Sequence, residues 1–189
     1  MKTVFSSLIV AAALPLVTMH ASAAEFSQLQ ADKSKVSFKY EQMGVKLDGH
    51  FKTFAADLSF DPAKPESAKA SLEVDLASID TGSPDADTEV VTKPWFNVPD
   101  YPKARFVASS IKAAGGDQYE IAGKLSIKGT DRDVSFPASF KAEGDQGVFT
   151  GSFTIKRGDY SIGEGDWSSF DIVANDVVID FELAVTPAQ

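Results

Sequence analysis

The sequence has 189 residues, a formal net charge of −9 at pH 7, no cysteine and two histidines, His20 and His50. The excess of acidic side chains argues against nucleic-acid binding, which needs a basic surface. The lack of cysteine excludes a disulfide framework and a thiolate metal site, and two histidines are too few for a histidine cluster around a metal.

The first 23 residues are typical of a secretory signal peptide. Lys2 is followed by an apolar run from Leu8 to Val17 and then by Ala21-Ser22-Ala23, a small-residue cleavage site. The apolar run is too short to span a bilayer, so we expect a chain that is not membrane-spanning. Cleavage after Ala23 would leave residues 24–189 as a single domain, exported to the periplasm.

After residue 30 the chain alternates apolar and polar residues in short runs, the period of half-buried β-strands. A slip in this alternation at Lys52 and Thr53 predicts a bulge or a bend, and Pro137 predicts an edge or a strand end. Turn-rich segments separate the runs, which favours an antiparallel sandwich or barrel. The runs are 35–40, 47–51, 54–60, 69–79, 118–129, 133–140, 149–156 and 175–185.

One segment, residues 80–103, interrupts the alternation. The helix-start signal at Ser83-Pro84 and the acidic run after it predict one short helix near 85–92. Three prolines further on predict an irregular loop, whose aromatic residues we expect at a lid or mouth: Trp95, Phe96 and Tyr101. The fold class is therefore all-β, an antiparallel barrel with an apolar interior. Alternation alone leaves open whether the inward aromatic residues form a solid core or line a cavity.

Arg157 breaks the pattern of its strand. In "FTGSFTIKRGDYSIG", residues 149–163, it occupies the next position on the apolar side. An unpaired guanidinium is very costly to bury. One interpretation is a salt bridge or a clamp of main-chain carbonyls that closes the end of the barrel. The other is a contact with the polar head of an amphipathic ligand at the barrel mouth. The sequence leaves both open.

Catalysis has little support in residues 24–189, which contain no P-loop, no HExxH motif and no nucleophile elbow. A Ser–His–Asp or Cys–His site would need His50, which lies on the polar side of its strand and is expected to face water. The acidic run at 85–89 is explained by a helix N-terminus. We expect a protein that is not an enzyme and that uses no metal and no cofactor.

Four segments in order resemble the YceI-like family of polyisoprenoid-binding proteins: "GHFKTFAADLSFDP", "WFNVPDYPKARFVAS", "YEIAGKLSIKGTDRDVSFP" and "FTIKRGDYSIGEGDW…ANDVVIDFEL". The resemblance implies a lipocalin-like antiparallel β-barrel whose apolar tunnel holds an isoprenoid chain. The spelling "DTEVVTKPWFNVPDYPKARF" is similar to the subgroup associated with b561-type cytochromes, which implies transient contact with such a membrane protein. Many members carry a histidine in the first strand where this chain has Tyr40.

The expected function is that of an exported soluble binding protein that holds a long-chain isoprenoid lipid or quinone-type molecule, for carriage or sequestration. Each buried methylene is worth about 0.8 kcal/mol, so such a tail needs a dry, elongated cavity. A periplasmic stress-response or interaction module without an obligatory ligand is the alternative, and an enzyme acting on a bound isoprenoid is less favoured. A homodimer stays open. The residues expected to contact the ligand are Phe38, Tyr40, Phe51, Phe54, Trp95, Phe96, Tyr101, Phe106, Phe136, Phe153, Arg157 and Phe181.

Overall fold

The computed structural model describes residues 25–188, so the predicted signal peptide lies outside the described residues. The described part is built mainly from β-strands, with one short α-helix, α1, at Pro84–Val90 and several single 3₁₀ turns. The strands are β1 (Phe26–Leu29), β2 (Lys35–Gln42), β3 (Val45–Phe51), β4 (Phe54–Ser59), β5 (Lys69–Asp75), β6 (Ile79–Asp80), β7 (Lys103–Gly115), β8 (Gln118–Ile127), β9 (Thr130–Glu143), β10 (Gln146–Lys156) and β11 (Asp176–Pro187).

The strands form one curled antiparallel sheet with the order β4-β5-β7-β8-β9-β10-β11-β2-β3-β6, and β1 pairs with the far end of β11. Hairpins join β7 to β8, β8 to β9 and β9 to β10, so neighbours in the sequence are neighbours in the sheet. The curl brings Phe26 of β1 against Phe60, just after β4, and the two residues exchange main-chain hydrogen bonds of 2.9 and 3.0 Å. This bridge closes the curl into the lipocalin-like barrel that the sequence predicted.

Two predicted irregularities have structural causes. At Lys52 and Thr53 the chain leaves β3, which pairs with β2, and enters β4, which pairs with β5. The slip in the alternation is therefore a change of sheet partner. Pro137 lies inside the long strand β9 rather than at its end, but the ladder with β10 extends only from Glu143 to Ala138. Pro137 thus lies one residue outside the ladder with β10 and pairs only with Glu120 of β8.

Helix α1 spans 84–90, where the sequence predicted 85–92. It starts at Pro84, which favours the first helical turn because it has no N–H to leave unpaired. It ends earlier because Thr92 folds back, with its Oγ1 donating to the carbonyl of Glu89 at 2.6 Å. No residue of α1 is fully buried, so the helix lies on the barrel as a thin cover rather than as part of a core.

Two apolar clusters occupy opposite ends of the barrel. At the first end, rings from β1, β9 and β10 and from Phe60 pack edge-on, with the Phe60 ring 4.8 Å from both Phe140 and Phe149. At the second end, aliphatic residues of β8 and β10 meet residues of the loops that follow α1 and β10, among them Trp95 and Tyr160. The interior between the clusters is not filled.

Inward-facing glycines seat aromatic rings flat against the barrel wall. A Cβ at Gly151 would collide with the ring of Phe181, its direct partner across the β10–β11 ladder. The same holds for Gly49 and Phe38, which are partners across the β2–β3 ladder. Each missing side chain thus gives its volume to a phenylalanine ring on the neighbouring strand. The rings lie along the wall, which leaves space at the barrel centre.

Candidate functional site, an apolar cavity inside the barrel

A cavity of about 770 Å³ lies inside the barrel and is lined by residues of both apolar clusters. That volume lies within the range of about 300–1,000 Å³ that is usual for small-molecule sites. Its wall is formed by inward-facing side chains of the strands together with residues from α1 and from the loops after α1 and β10. Most of these side chains are aliphatic or aromatic, so the cavity is suited to an apolar molecule.

Ten of the twelve residues predicted to contact a ligand border this cavity, namely Phe38, Tyr40, Phe51, Trp95, Phe96, Phe106, Phe136, Phe153, Arg157 and Phe181. Phe54 and Tyr101 do not. Phe54 is half-buried at the start of β4, opposite Val74, and Tyr101 is 38% exposed and covers Gly129 in the turn between β8 and β9. Every predicted strand residue but Phe54 therefore borders the cavity, and the irregular loop gave one residue, Tyr101, that lies elsewhere.

An aromatic wall runs along one side of the cavity. The rings of Phe136 and Phe153 are stacked at 4.5 Å between centroids, with an interplanar angle of 12°. Phe106 and Phe181 approach Phe136 at 5.4 and 5.8 Å. These side chains come from four different strands, β7, β9, β10 and β11, and they fix one another by ring packing. The result is a rigid, flat and apolar surface.

Tyr40 of β2 brings a polar group to the cavity wall. Its ring packs on Phe38 at 5.9 Å, and its hydroxyl donates a long hydrogen bond of 3.4 Å to the carbonyl of Thr81. Burial is the main reason that the pKa of the Tyr40 phenol is raised above its ordinary value of 10.0. Tyr40 is therefore a neutral group at physiological pH.

Arg157 is the most deeply buried charged residue of the described chain, with 2% of its surface exposed. Its Nη1 donates to the carbonyls of Ile162 and Gly163 at 2.7 and 3.1 Å. Its Nη2 donates to three carbonyls at 2.8–3.2 Å, and its Nε is shared between two at 3.2 Å. The acceptors of Nη2 and Nε are Trp167, Ser169, Val173 and Ala174.

This arrangement answers the question that the sequence raised about Arg157. Among residues 25–188 no carboxylate forms an ion pair with it, and its charge is balanced by main-chain carbonyl dipoles and by the rings of Trp95 and Phe170 at 5.7 and 4.9 Å. Burial lowers the pKa of the guanidinium, which nevertheless stays positive. Every nitrogen is engaged, so Arg157 acts as the clamp that holds the 162–174 loop over the end of the barrel.

That loop meets the segment after α1, and together they cover the second end of the cavity. The main-chain N–H groups of Gly163 and Glu164 both donate to the carbonyl of Pro94 at 2.9 Å. The Nε1 of Trp167 donates to the Glu89 carboxylate on α1 at 2.8 Å. Main-chain and side-chain hydrogen bonds thus connect the two covering segments, which have no strand pairing with each other.

Both tryptophans of the chain are part of this cover. Their rings lie 5.4 Å apart, and each borders the cavity. The Nε1 of Trp95 is buried and finds no acceptor among residues 25–188. Because indole fluorescence depends on its surroundings, we expect tryptophan emission to change when a molecule enters the cavity.

Several wall residues were not singled out from the sequence. Leu125, Ile127, Ile155 and Ile179 share the inward alternation of their strands, but only aromatic residues were chosen there. The signal that identifies them is the same period of two. Ile162, Trp167 and Val173 come from irregular loops, where no periodicity could have marked them.

Other features of the described residues bear on the alternatives. His50 lies on the outer face of β3, opposite Ser37 and Asp80, away from the cavity. Within 25–188 no three His, Cys, Asp or Glu side chains are grouped so as to hold a metal ion. The one helix in this part of the chain is neither long nor apolar enough to cross a membrane.

The fold and its interior define a lipocalin-like β-barrel with an apolar cavity. The chain belongs to the YceI-like domain family, whose model matches residues 28–185. It is 29% identical over 170 residues to a UPF0312 protein of Pseudomonas putida, covering 86% of this chain and 88% of that protein. It is 32% identical over 134 residues to a UPF0312 protein of Azotobacter vinelandii, covering 67% of this chain and 70% of the other.

Two solved structures share the fold. The Burkholderia cenocepacia protein BcnA superposes with a TM-score of 0.82 at 40% identity, covering 84% of this chain and 100% of BcnA. A polyisoprenoid binding domain from Saccharophagus degradans superposes with a TM-score of 0.67 at 19% identity, covering 87% of this chain and 99% of that domain. The lipocalin-like barrel predicted from the sequence is thus confirmed.

Proposed function

We propose that this protein binds a long-chain isoprenoid lipid or a quinone-type molecule in the barrel cavity and carries or sequesters it outside the cytoplasm. The apolar cavity of about 770 Å³ carries this proposal. A structurally similar domain from Saccharophagus degradans is a polyisoprenoid binding domain, which supports the same class of ligand here. The predicted signal peptide supports export to the periplasm.

Physical chemistry favours a binding role for such a cavity. A prenyl tail transferred from water into the barrel gains about 0.8 kcal/mol for each methylene buried. The aromatic wall made by Phe106, Phe136, Phe153 and Phe181 is already assembled, so little ordering is required when a ligand enters. A binding role also fits the family, whose members are binding domains. We assign no catalytic role to any residue.

Native mass spectrometry of the protein purified from its own periplasm is the direct test. We expect one prenyl lipid or quinone per chain, released by solvent extraction and identified by its mass. A protein that is empty on purification, and that takes up no prenyl lipid on incubation, would refute the carrier function. That result would favour the interaction module without an obligatory ligand.

A substitution of Phe153 tests whether the ligand binds in the cavity. Phe153→Glu places a carboxylate against the stacked ring of Phe136, and we expect apolar ligand affinity to fall by about tenfold or more because the carboxylate must be desolvated. Thr154→Glu is the matched control, since Thr154 is exposed on the outer face of the same strand. Tryptophan emission measures binding and circular dichroism measures folding. Equal affinity of the two variants, both folded, would remove Phe153 from the binding surface.

A further inference from the structure

Acidic residues outnumber basic residues along the cavity. Six charged residues lie along its wall: Asp48, Asp57, Asp85, Glu89, Arg105 and Arg157. The two arginines are the only cationic side chains in that set of described residues. Whether a ligand with an anionic head can bind depends on whether either arginine is free to pair with it.

Neither arginine is free. All three guanidinium nitrogens of Arg157 donate to main-chain carbonyls, and the loop they hold would have to open before an anion could take their place. Arg105 is on the outer side of the barrel with 54% of its side chain exposed, and its Nε lies 3.5 Å from the Glu73 carboxylate. A phosphate in the cavity would therefore find no cation to neutralise it.

Two acids of α1, Asp85 and Glu89, form what we call the acidic rim. Asp48 does not belong to the rim, because its side chain is on the outer face of β3 with that of His50, opposite Lys39 of β2. Glu89 accepts a hydrogen bond from the neutral indole of Trp167, so its negative charge is oriented but not cancelled. The rim thus adds negative potential at the border of a low-dielectric cavity, where fields are focused.

We propose that the cavity discriminates by the charge of the ligand's end group. It accepts a prenyl tail that ends in an uncharged hydroxyl or carbonyl, and it rejects the same tail ending in a phosphate, a diphosphate or a carboxylate. An anionic head at the rim is repelled by two carboxylates, and deeper in the barrel it is desolvated without a counter-ion. This inference rests on the proposed function and specifies its class of cargo.

Geranylgeraniol and geranylgeranyl diphosphate test the inference, because they share one tail and differ only in the end group. Each is titrated into the full mature protein, with the emission of Trp95 and Trp167 as the signal. We expect the alcohol to bind about tenfold or more tightly than the diphosphate at low salt. The difference in affinity between the alcohol and the diphosphate will become smaller as salt is added, because the rim carboxylates are partly exposed and their charges are screened.

A double variant assigns the effect to the rim. Asp85→Asn with Glu89→Gln removes two charges while leaving an oxygen at position 89 to accept from Trp167, and we expect the preference for the alcohol over the diphosphate, measured as the ratio of their affinities, to fall about threefold to tenfold. Asp145→Asn, in the exposed turn between β9 and β10, is the control that changes net charge far from the rim. A wild-type protein that binds both probes equally would overturn the charge discrimination and leave the carrier function standing. Failure to bind either probe would overturn the carrier function itself.

Discussion

Replacement of Arg157 tests whether the 162–174 loop is held by a carbonyl clamp. Arg157→Met keeps an apolar stem of similar length but removes seven hydrogen bonds to six carbonyl oxygens. Hydrogen bonds to a charged group contribute about 1.5–3 kcal/mol each when one partner is removed, and entry of water recovers part of that loss. We expect the free energy of unfolding to fall by about 4–6 kcal/mol, a large part of the 5–15 kcal/mol of a typical domain.

Arg157→Lys separates charge from geometry. The ammonium has three donors and no planar fork, so it can satisfy at most half of the six carbonyls. We expect a loss of about 2–4 kcal/mol, intermediate between the wild type and Arg157→Met. Arg132→Met is the matched control, because Arg132 is exposed and donates to one main-chain carbonyl, that of Asp159 at 3.1 Å. Its effect should stay below about 1 kcal/mol.

The assay is urea unfolding followed by far-ultraviolet circular dichroism and by tryptophan emission. Circular dichroism reports the barrel as a whole, whereas Trp95 and Trp167 report the cover beside Arg157. If tryptophan emission of the Arg157→Met variant changed at a lower urea concentration than circular dichroism, the cover would unfold before the barrel, and the clamp would be shown to hold the cover locally. If Arg157→Met unfolded within about 1 kcal/mol of the wild type while ligand affinity dropped, Arg157 would be a ligand contact and the clamp argument would be refuted.

Two further predictions concern the barrel wall and its outer surface. Gly151→Ala forces the ring of Phe181 off the wall and into the cavity. We expect the free energy of unfolding in urea to fall by about 1–3 kcal/mol and prenyl alcohols to bind more weakly. Unchanged stability would show that the ring has room to move. A hydrogen bond from Lys39 lowers the pKa of Asp180 below its ordinary value of 3.8. That contribution to stability is present above pH 3.8 and is lost as the pH falls through the lowered pKa. The free energy of unfolding of Asp180→Asn, measured with urea at a series of pH values, should therefore fall less steeply below pH 3.8 than that of the wild type.

The alternation of residues determined more of the wall than of the cover. A strand places every second side chain on the same face whatever its neighbours are, so Phe136, Phe153 and Phe181 could be assigned to the interior before any sheet order was known. The same rule could not place Tyr101, which belongs to an irregular loop and packs over Gly129. Nor could it separate a solid core from a cavity, because that depends on how far the rings reach across the barrel.

The sequence by itself determined the all-β class, the inward faces of the strands other than β1 and β7, the position of the short helix to within two residues, and the fact that Arg157 must find partners. Only the tertiary structure decided what those partners are. They are main-chain carbonyls of the 162–174 loop, and every residue type carries the same carbonyl, so no pattern of side chains could have indicated them. The cavity, too, exists because a curled sheet closes on itself through Phe26 and Phe60, a contact between residues that only the fold brings together.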